Sequence, residues 1–313
     1  MRVTLVVEGA IPCKGYGGTE RQVDWLATEL ARLGHRVVVI AAPGSSHPLC
    51  EVRPAASRAE CRAAIPQDTD IVHFNGRYIE VPFATLNTEH GFSPQSPRLR
   101  PNWSFVSASH ARNHGRETFV HNGFPVDEYR LAATKSDRLL FLAGIARAGK
   151  NLNRAVDLAK AFDFALDIAG GSRWRLLTRS QVRRQGVFFK SLGGRYRFHG
   201  IVGGDEKLRL LGEAKAFLNP IAWEEPFGMA PVEAMLCGTP VLTTSRGALP
   251  EIVDADTGRL FDTDAEFAQA FANIAALSPQ RCRESAADRF PMSRTAKGYL
   301  DLYARILDGE SLP

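Results

Sequence analysis

The sequence has few cysteines and no cysteine motif. Its five cysteines are scattered over 313 residues, and none forms a Cys-x-x-Cys pair. An odd and dispersed set of this kind does not indicate a disulfide framework or a tetrahedral zinc site. We therefore expect reduced thiols and a cytoplasmic protein.

Long apolar runs are also missing, because no stretch of about 18 apolar residues is present to span a bilayer. The opening residues, MRVTLVVEGA, have one arginine before a short apolar run and no small-residue cleavage site. They predict a first β-strand and not a signal peptide. The glycine loop that follows, GYGGTE, is not Gly-x-Gly-x-x-Gly, which argues against nicotinamide dinucleotide binding.

Acidic residues are absent between Asp167 and Asp205, although the formal net charge of the whole chain is only +5. The stretch predicts contact with anionic lipid head groups or a phosphorylated acceptor, unless it is an ordinary solvated face. Aromatic residues are too sparse there to favour nucleic acid, so no nucleic-acid partner is expected. The basic residues of this stretch are Arg173, Arg175, Arg179, Arg183, Arg184, Lys190, Arg195 and Arg197.

Short apolar runs, typical of strands, alternate with segments whose apolar residues have helical spacing. They divide the chain into two β/α series. The first opens with strands at residues 3–8 and 36–41 around a helix at residues 19–33, and little helix is expected between residues 43 and 67. The second opens with a strand at residues 139–142 and alternates in the same way. Two such series predict an α/β protein with two doubly wound, Rossmann-like domains.

The break between the two series falls in polar sequence near residues 129–137. We expect one domain at residues 1–132, a second at residues 133–295, and a C-terminal helix at residues 296–313 that packs back on the first. Ligands of doubly wound sheets bind beyond the carboxyl ends of the strands. We therefore expect the two domains to face each other across a cleft that contains the site.

The most informative segment is EEPFGMAPVEAMLCGTPV at residues 224–241, which contains two glutamates eight residues apart. On one continuous helix that spacing would rotate their carboxylates by about 80° and separate them by about 12 Å. Pro226 and Gly228 do not suit a helix interior, so we expect Glu225 in a loop and Glu233 on the second turn of a helix that begins near Gly228. Both carboxylates can then face one site.

Between the two glutamates, the backbone amides of Phe227, Gly228 and Met229 are expected to form a helix N-terminus, which favours an anion such as a diphosphate. Carboxylates accept hydrogen bonds from a vicinal diol, so one glutamate on a ribose and one near a sugar is a reasonable arrangement. Two surface glutamates beside a turn remain the alternative on spacing alone.

The flanking pattern favours the first interpretation. Glu-x7-Glu followed by Ala-Met-x-Cys-Gly-Thr-Pro-Val resembles the signature of the retaining glycosyltransferases of family 4, which have the glycosyltransferase B fold. GYGGTE is similar to the family's glycine loop, where Gly17 and Gly18 permit close backbone approach and positive φ before a helix. The resemblance covers residues 3–261. It implies a donor domain in the second half and a trimmed acceptor domain in the first.

The second series opens with LLFLAGIARAGKN, which is similar to the family's strand, Gly-Arg turn and diphosphate-binding lysine. Lys150 directly precedes a helix, where a cation and helix amides both reach a phosphate. The chain departs from the family here, because Ile145 and not arginine follows Gly144. The nearest arginine is Arg147, which we expect to assist Lys150.

Other candidate donor-site residues rest on the same resemblance. His90 lies in NTEHGF, where a predicted strand ends and the family has a histidine on the donor sugar. Gly170 in IAGGS and Val202 in FHGIV match positions that surround the nucleotide base. The resemblance places Glu225 on the sugar and Glu233 on the ribose.

The resemblance implies sugar transfer from a nucleotide-sugar to a hydroxyl acceptor, with retention at the anomeric carbon. A UDP-sugar is the expected donor, with UDP-glucose first, and the acceptor is a glycan, a lipid-linked group or a small metabolite. The open alternatives are an epimerase or hydrolase of the same fold, and an inactive module that binds nucleotide-sugars. We expect a cytoplasmic protein with peripheral contact at the inner face of the membrane through the basic stretch.

No metal or other cofactor is expected, because Lys150 and the helix amides can perform a metal's electrostatic role. Two Asp-x-Asp spacings lie beyond the family's site, in sequence that predicts loops. They are Asp254 with Asp256 and Asp262 with Asp264.

Overall fold

The computed structural model describes residues 1–13, 17–91, 102–178, 183 and 185–312. The chain forms two compact units: the first comprises Met1–Pro125 and Phe290–Pro313, and the second comprises Val126–Arg289. The boundaries therefore lie earlier than the predicted breaks after residues 132 and 295.

The first unit contains a parallel sheet of six strands. These are β1 (Arg2–Val7), β2 (Arg36–Ala41), β3 (Glu51–Pro54), β4 (Ile71–Asn75), β5 (Ala84–Glu89) and β6 (Trp103–Phe105). Their order is β3-β2-β1-β4-β5-β6, which is that of a doubly wound sheet. The α-helices of the first unit that precede Pro125 are α1 (Gly18–Arg32), α2 (Arg58–Ala64) and α3 (Ala108–Asn113).

Between residues 43 and 67, where little helix was expected, the structure has strand β3 and the short helix α2. The Ser57 side chain accepts a hydrogen bond from the Glu60 amide, and the Glu60 carboxylate accepts one from the Ala56 amide. Ser-x-x-Glu is a helix-start signal that was present in the sequence. Helix α2 is only seven residues long, which leaves little room for helical periodicity.

The second unit contains another parallel sheet of six strands. These are β7 (Leu139–Leu142), β8 (Leu166–Ala169), β9 (Tyr196–Gly200), β10 (Ala216–Asn219), β11 (Val241–Thr243) and β12 (Gly258–Leu260). Their order is β12-β11-β10-β7-β8-β9. The predicted fold class, α/β with two doubly wound sheets, is therefore confirmed.

Helices and short turns complete the second unit, and one long helix follows in the first. The α-helices are α4 (Leu152–Ala161), α5 (Arg175–Thr178), α6 (Val187–Lys190), α7 (Gly204–Glu213), α8 (Met229–Leu236), α9 (Leu249–Ile252), α10 (Asp264–Asn273), α11 (Pro279–Arg289) and α12 (Met292–Leu307). The 3₁₀ turns are Val126–Glu128, Ala148–Lys150 and Ile274–Ala276.

Helix α12 contributes apolar residues and two tyrosines to the core of the first unit. The His73 ring nitrogens lie 2.7 Å from the Tyr303 hydroxyl and 2.7 Å from the Thr88 hydroxyl. Burial, followed by the charge of His90, lowers the pKa of His73 to about 3. His73 is therefore a neutral, packed core residue that ties α12 to the sheet.

Candidate functional site

The order of the second sheet reverses between β7 and β10. These two strands are neighbours, and the chain continues outward from β7 to β8 and from β10 to β11. Ligands of doubly wound sheets bind beyond the carboxyl ends of the strands at such a switch point. The loops that follow β7 and β10 contain Lys150 and Glu225, respectively.

Lys150 and Glu225 form an ion pair, with Lys150 Nζ 2.7 Å from Glu225 Oε2. The indole Nε1 of Trp223 donates a hydrogen bond of 2.7 Å to the same oxygen. The lysine ammonium also lies 4.9 Å from the centre of the Trp223 ring. Because the lysine and glutamate side chains are only 18% and 11% exposed, their attraction is screened less than that of a surface pair.

The loop that contains Glu225 is held by backbone amides of the loop that follows β11. The Ala248 amide donates to the Glu225 carbonyl at 2.9 Å, and the Gly247 amide donates to the Glu224 carboxylate at 2.9 Å. Gly247 has φ 58°, and a Cβ there would lie 2.3 Å from the Glu225 carbonyl oxygen. Glycine at this position therefore permits the contact that positions Glu225.

Helix α8 begins after Gly228, whose φ of 100° suits glycine. Glu225 lies in the preceding loop and Glu233 on the second turn of the helix, as the proline and glycine between them predict. Phe227 is buried, and Met229 is the first residue of the helix. The first-turn amides of α8 are therefore adjacent to the Glu225 loop.

Glu233 has a different set of partners, and its side chain is only 2% exposed. Its Oε1 accepts hydrogen bonds from Lys207 Nζ at 2.5 Å and from the Tyr129 hydroxyl at 3.1 Å. Sequence reasoning missed both partners. Lys207 carries no motif, and Tyr129 lies at the start of the polar stretch in which we placed the break between the two series.

Gly144 and Gly170 approach each other where β7 and β8 end. Gly170 has φ 114°, and a Cβ there would lie 1.9 Å from the Ala143 carbonyl oxygen and 3.2 Å from the Gly144 nitrogen. Its amide donates to the Gly200 carbonyl at 2.7 Å. Val202, the other predicted base-side residue, is half-buried just before α7.

The departure from the family's arginine has a structural explanation. Ile145 is 1% exposed and belongs to the hydrophobic core of the second unit. Arg147 is exposed, and its Cδ lies 3.5 Å from where a Cβ on Gly144 would be. Within the part of the chain that the structure describes, the Arg147 guanidinium has no ion pair. A cation is therefore present near the turn that follows β7, two residues after the position where the family has its arginine.

The first unit holds the remaining predicted residues. His90 Nε2 lies 2.9 Å from Asn75 Oδ1, and burial, followed by the charge of His110, lowers the pKa of His90 to about 3. The imidazole is therefore neutral at pH 7 and can hydrogen bond to a hydroxyl.

The glycine loop is described only in part, because residues 14–16 lie outside the described residues. Gly17 has φ −165°, so the expectation of positive φ is wrong there. The close approach is present, since a Cβ on Gly17 would lie 2.5 Å from Cys13 Sγ and 2.4 Å from the Glu20 carboxylate. Gly18 is the first residue of α1.

The basic stretch at residues 173–197 is partly neutralised. Lys190 pairs with Asp157 and Arg195 pairs with Asp163, whereas Arg175 is exposed. The predicted Arg179 and Arg184 lie outside the described residues. Two aromatic side chains of the stretch are largely in solvent: Trp174 is 71% exposed and Phe189 is 69% exposed.

Both predicted Asp-x-Asp pairs make contacts within the protein. Asp254 Oδ1 accepts hydrogen bonds from the amides of Asp256 and Thr257, each at 3.0 Å. Asp264 is the first residue of α10, so the expectation of a loop is wrong there, and its side chain pairs with Arg154. Among the described residues, no group of three or more acidic, histidine or cysteine side chains is arranged to hold a metal ion. No helix in those ranges is long and apolar enough to cross a membrane.

Known proteins resemble the chain most clearly over the second unit. The profile of the family Glycosyl transferases group 1 matches residues 137–276. A GDP-mannose-dependent alpha-(1-6)-phosphatidylinositol dimannoside mannosyltransferase of Mycobacterium tuberculosis is 30% identical over 177 residues, which are 54% of this chain and 44% of that protein. The chain thus spans less than half the length of this curated relative.

Solved structures match over the whole chain. A glycosyltransferase involved in avilamycin A biosynthesis is 27% identical, with a TM-score of 0.84 and coverage of 100% of this chain and 99% of that chain. Anabaena Alr3699/HepE in complex with UDP-glucose is 15% identical, with a TM-score of 0.71 and coverage of 99% of each chain. These matches confirm the glycosyltransferase B fold and the resemblance to family 4 glycosyltransferases.

Proposed function

We propose that this chain is a retaining glycosyltransferase that moves a sugar from a nucleotide-sugar to a hydroxyl acceptor. The observation that carries the proposal is the Lys150–Glu225 pair at the switch point of the second sheet. A lysine there supplies positive charge for a departing diphosphate, and a carboxylate accepts hydrogen bonds from sugar hydroxyls. Both residues lie within the range that the family profile matches.

The donor we propose is a UDP-sugar, with UDP-glucose as first choice. Anabaena Alr3699/HepE, which has the same fold, was solved in complex with UDP-glucose. The Mycobacterium tuberculosis relative is GDP-mannose-dependent by name, so GDP-mannose is the main competitor.

In the proposed reaction, the bond between the anomeric carbon and the diphosphate oxygen breaks, and the acceptor oxygen bonds to the same face of that carbon. Lys150, Arg147 and the first-turn amides of α8 stabilise the charge that grows on the leaving diphosphate. The acceptor proton passes to the leaving phosphate. No metal ion is needed in this scheme, because the lysine and the amides supply the positive potential.

The remaining residues hold the donor. Glu225 accepts hydrogen bonds from the sugar, and His90, which is neutral, orients a sugar hydroxyl. Glu233, whose Oε1 is held by Lys207 and Tyr129, binds the ribose hydroxyls. Gly17, Gly18, Gly144, Gly170 and Val202 provide backbone around the donor.

We further propose peripheral membrane contact through the basic stretch. Trp174 and Phe189 are exposed there, and each contacts Phe188, with ring centres 5.4 Å and 5.3 Å apart. Aromatic rings and arginines favour the interface of an anionic bilayer. Arg175 supplies exposed positive charge beside the rings.

A thermal-shift screen of nucleotides and nucleotide-sugars tests the function first, because a ligand that binds only the folded state raises Tm. Consumption of the stabilising donor with candidate acceptors, and the anomeric configuration of the product by NMR, test the transfer. Donor loss in water alone would indicate a hydrolase, and donor isomerisation an epimerase. Nucleotide binding without turnover would identify an inactive binding module, a candidate that the loss of the family arginine at Ile145 favours.

A further inference from the structure

The two oxygens of the Glu225 carboxylate have unequal surroundings. Oε2 accepts hydrogen bonds from both Lys150 Nζ and Trp223 Nε1, each at 2.7 Å. Oε1 has no hydrogen bond from any residue in the described ranges. One edge of the carboxylate is therefore held by the protein, and the other is available to a ligand.

The Trp223 ring is itself fixed by the loop after β7. A Cβ added to Gly149 would lie 3.0 Å from Cδ2 of the indole, so the ring rests directly on that glycine. The Ala222 amide donates to the Gly149 carbonyl at 2.9 Å. These contacts join the loops that follow β7 and β10 and orient the indole N–H toward Glu225.

A bound diphosphate would change the role of Lys150. A diphosphate carries more negative charge than a carboxylate, so it competes with Glu225 for the lysine ammonium. If Lys150 were its only partner, Glu225 would lose its anchor when the donor binds. The indole N–H is a neutral donor that a phosphate attracts far less, and the packing on Gly149 keeps it in place.

We propose that Trp223 is a positioning residue for Glu225: it retains Oε2 when Lys150 turns to the diphosphate, and so keeps Oε1 directed at the donor sugar. The inference rests on the proposed function. It predicts that Trp223 contributes to binding of the sugar part of the donor and contributes little to binding of the nucleotide part.

Trp223→Phe separates the hydrogen bond from the packing, because phenylalanine keeps a ring over Gly149 but has no N–H. Hydrogen bonds to charged groups typically contribute about 10- to 100-fold to an equilibrium constant. In calorimetry on the full chain, we expect the Kd of UDP-glucose to rise about tenfold or more. The Kd of UDP should change by less than about threefold, which is within 1 kcal/mol.

A double-mutant cycle with Glu225→Ala tests whether Trp223 acts through Glu225. In the Glu225→Ala background, Trp223→Phe should add no further loss of UDP-glucose affinity. Trp174→Phe is the matched control, since Trp174 lies in the same unit, is exposed, and its indole N–H donates no hydrogen bond to the described residues. The positioning role would be overturned if Trp223→Phe weakened the binding of UDP and of UDP-glucose equally. It would also be overturned if Trp223→Phe weakened UDP-glucose binding as much in the Glu225→Ala background as in the unmutated protein.

Indole NMR signals give a readout that needs no ligand. The signal that Trp223→Phe removes identifies Trp223, and Glu225→Ala should shift its N–H proton upfield while the Trp174 signal stays in place. An unmoved Trp223 signal would overturn the inference but not the proposed function. If the signal shifts and the unmutated protein binds no nucleotide-sugar, the proposed function fails, and the positioning role fails with it.

Discussion

Ile145 packs so closely on Gly171 that a Cβ added to the glycine would lie 2.7 Å from Ile145 Cγ1. The residue that follows the turn glycine therefore points into the core, where an arginine would carry its charge away from water. The missing family arginine is a local change of packing, and the exposed Arg147 lies two residues away.

We predict that restoring the family residue by Ile145→Arg destabilises the protein. The change buries a charge without a partner, which is one of the most destabilising kinds of substitution. We expect it to lower the free energy of unfolding by about 3 kcal/mol or more. Ile145→Val should cost only about 1 kcal/mol, because it removes one methylene group. Urea unfolding of both variants measures the difference. A stable Ile145→Arg protein with higher turnover would mean that the loop can expose this side chain.

Lys150→Ala should nearly abolish turnover, and Arg147→Ala should lower it clearly. Removing one charge-stabilising contact to a developing anion typically costs about 10²–10³ in rate. Arg209→Ala is a control, since that exposed arginine pairs with Glu213 on α7. If Arg147→Ala leaves kcat unchanged while Lys150→Ala abolishes it, Lys150 acts with the α8 amides alone.

Activity should survive excess chelator, since the proposed reaction uses a lysine and backbone amides in place of a metal ion. The measurement compares initial rates with and without EDTA after extensive dialysis. If EDTA abolished activity and magnesium or manganese restored it, the proposal that Lys150 and the α8 amides stabilise the diphosphate without a metal ion would be wrong.

The second sheet could be predicted from the sequence because its buried strands are apolar runs. Strand β7 has the predicted bounds, because it is a short apolar segment buried in a parallel sheet. Strand β3 was missed, since Glu51–Pro54 is a four-residue edge strand with partly exposed side chains. Its hydrophobic pattern is too short to predict a strand.

Motif residues were predictable, but their partners were not. The segment around Glu225 predicted a loop followed by a helix, and the structure has both. Trp223 was adjacent to the motif, yet its hydrogen bond depends on a ring orientation that Gly149 sets. Lys207 reaches Glu233 from another helix, and no spacing rule connects two such residues.

For the exposed aromatic residues, we predict binding to vesicles of phosphatidylcholine with phosphatidylglycerol and not to phosphatidylcholine alone. Trp174→Ser with Phe189→Ser should abolish the binding in sedimentation assays, and high salt should weaken it by screening arginine. Leu33→Ser with Leu49→Ser, which changes two exposed leucines of the first unit, is the control. Equal binding to neutral vesicles, or no effect of the double aromatic change, would argue against the surface.

The two glutamates should differ in their effects on nucleotide and sugar. Glu233→Ala is expected to weaken binding of free UDP, because we propose that this carboxylate binds the ribose. Glu225→Gln should lower kcat more than UDP affinity, since its proposed partner is the sugar. Calorimetry with UDP and steady-state kinetics with the donor measure the two effects.

Stability must be measured alongside, because Glu233 and Lys207 form a buried pair. Removing one partner of such a pair typically destabilises by about 3–5 kcal/mol, since the other charge is left buried. Glu233→Gln with Lys207→Met removes both charges and retains similar volumes, so it separates the loss of the carboxylate from the loss of folding. If this double variant binds UDP as tightly as the unmutated protein, Glu233 does not bind the ribose. If Glu225→Gln and Glu233→Ala reduce UDP affinity equally, the proposed division between sugar and ribose is wrong.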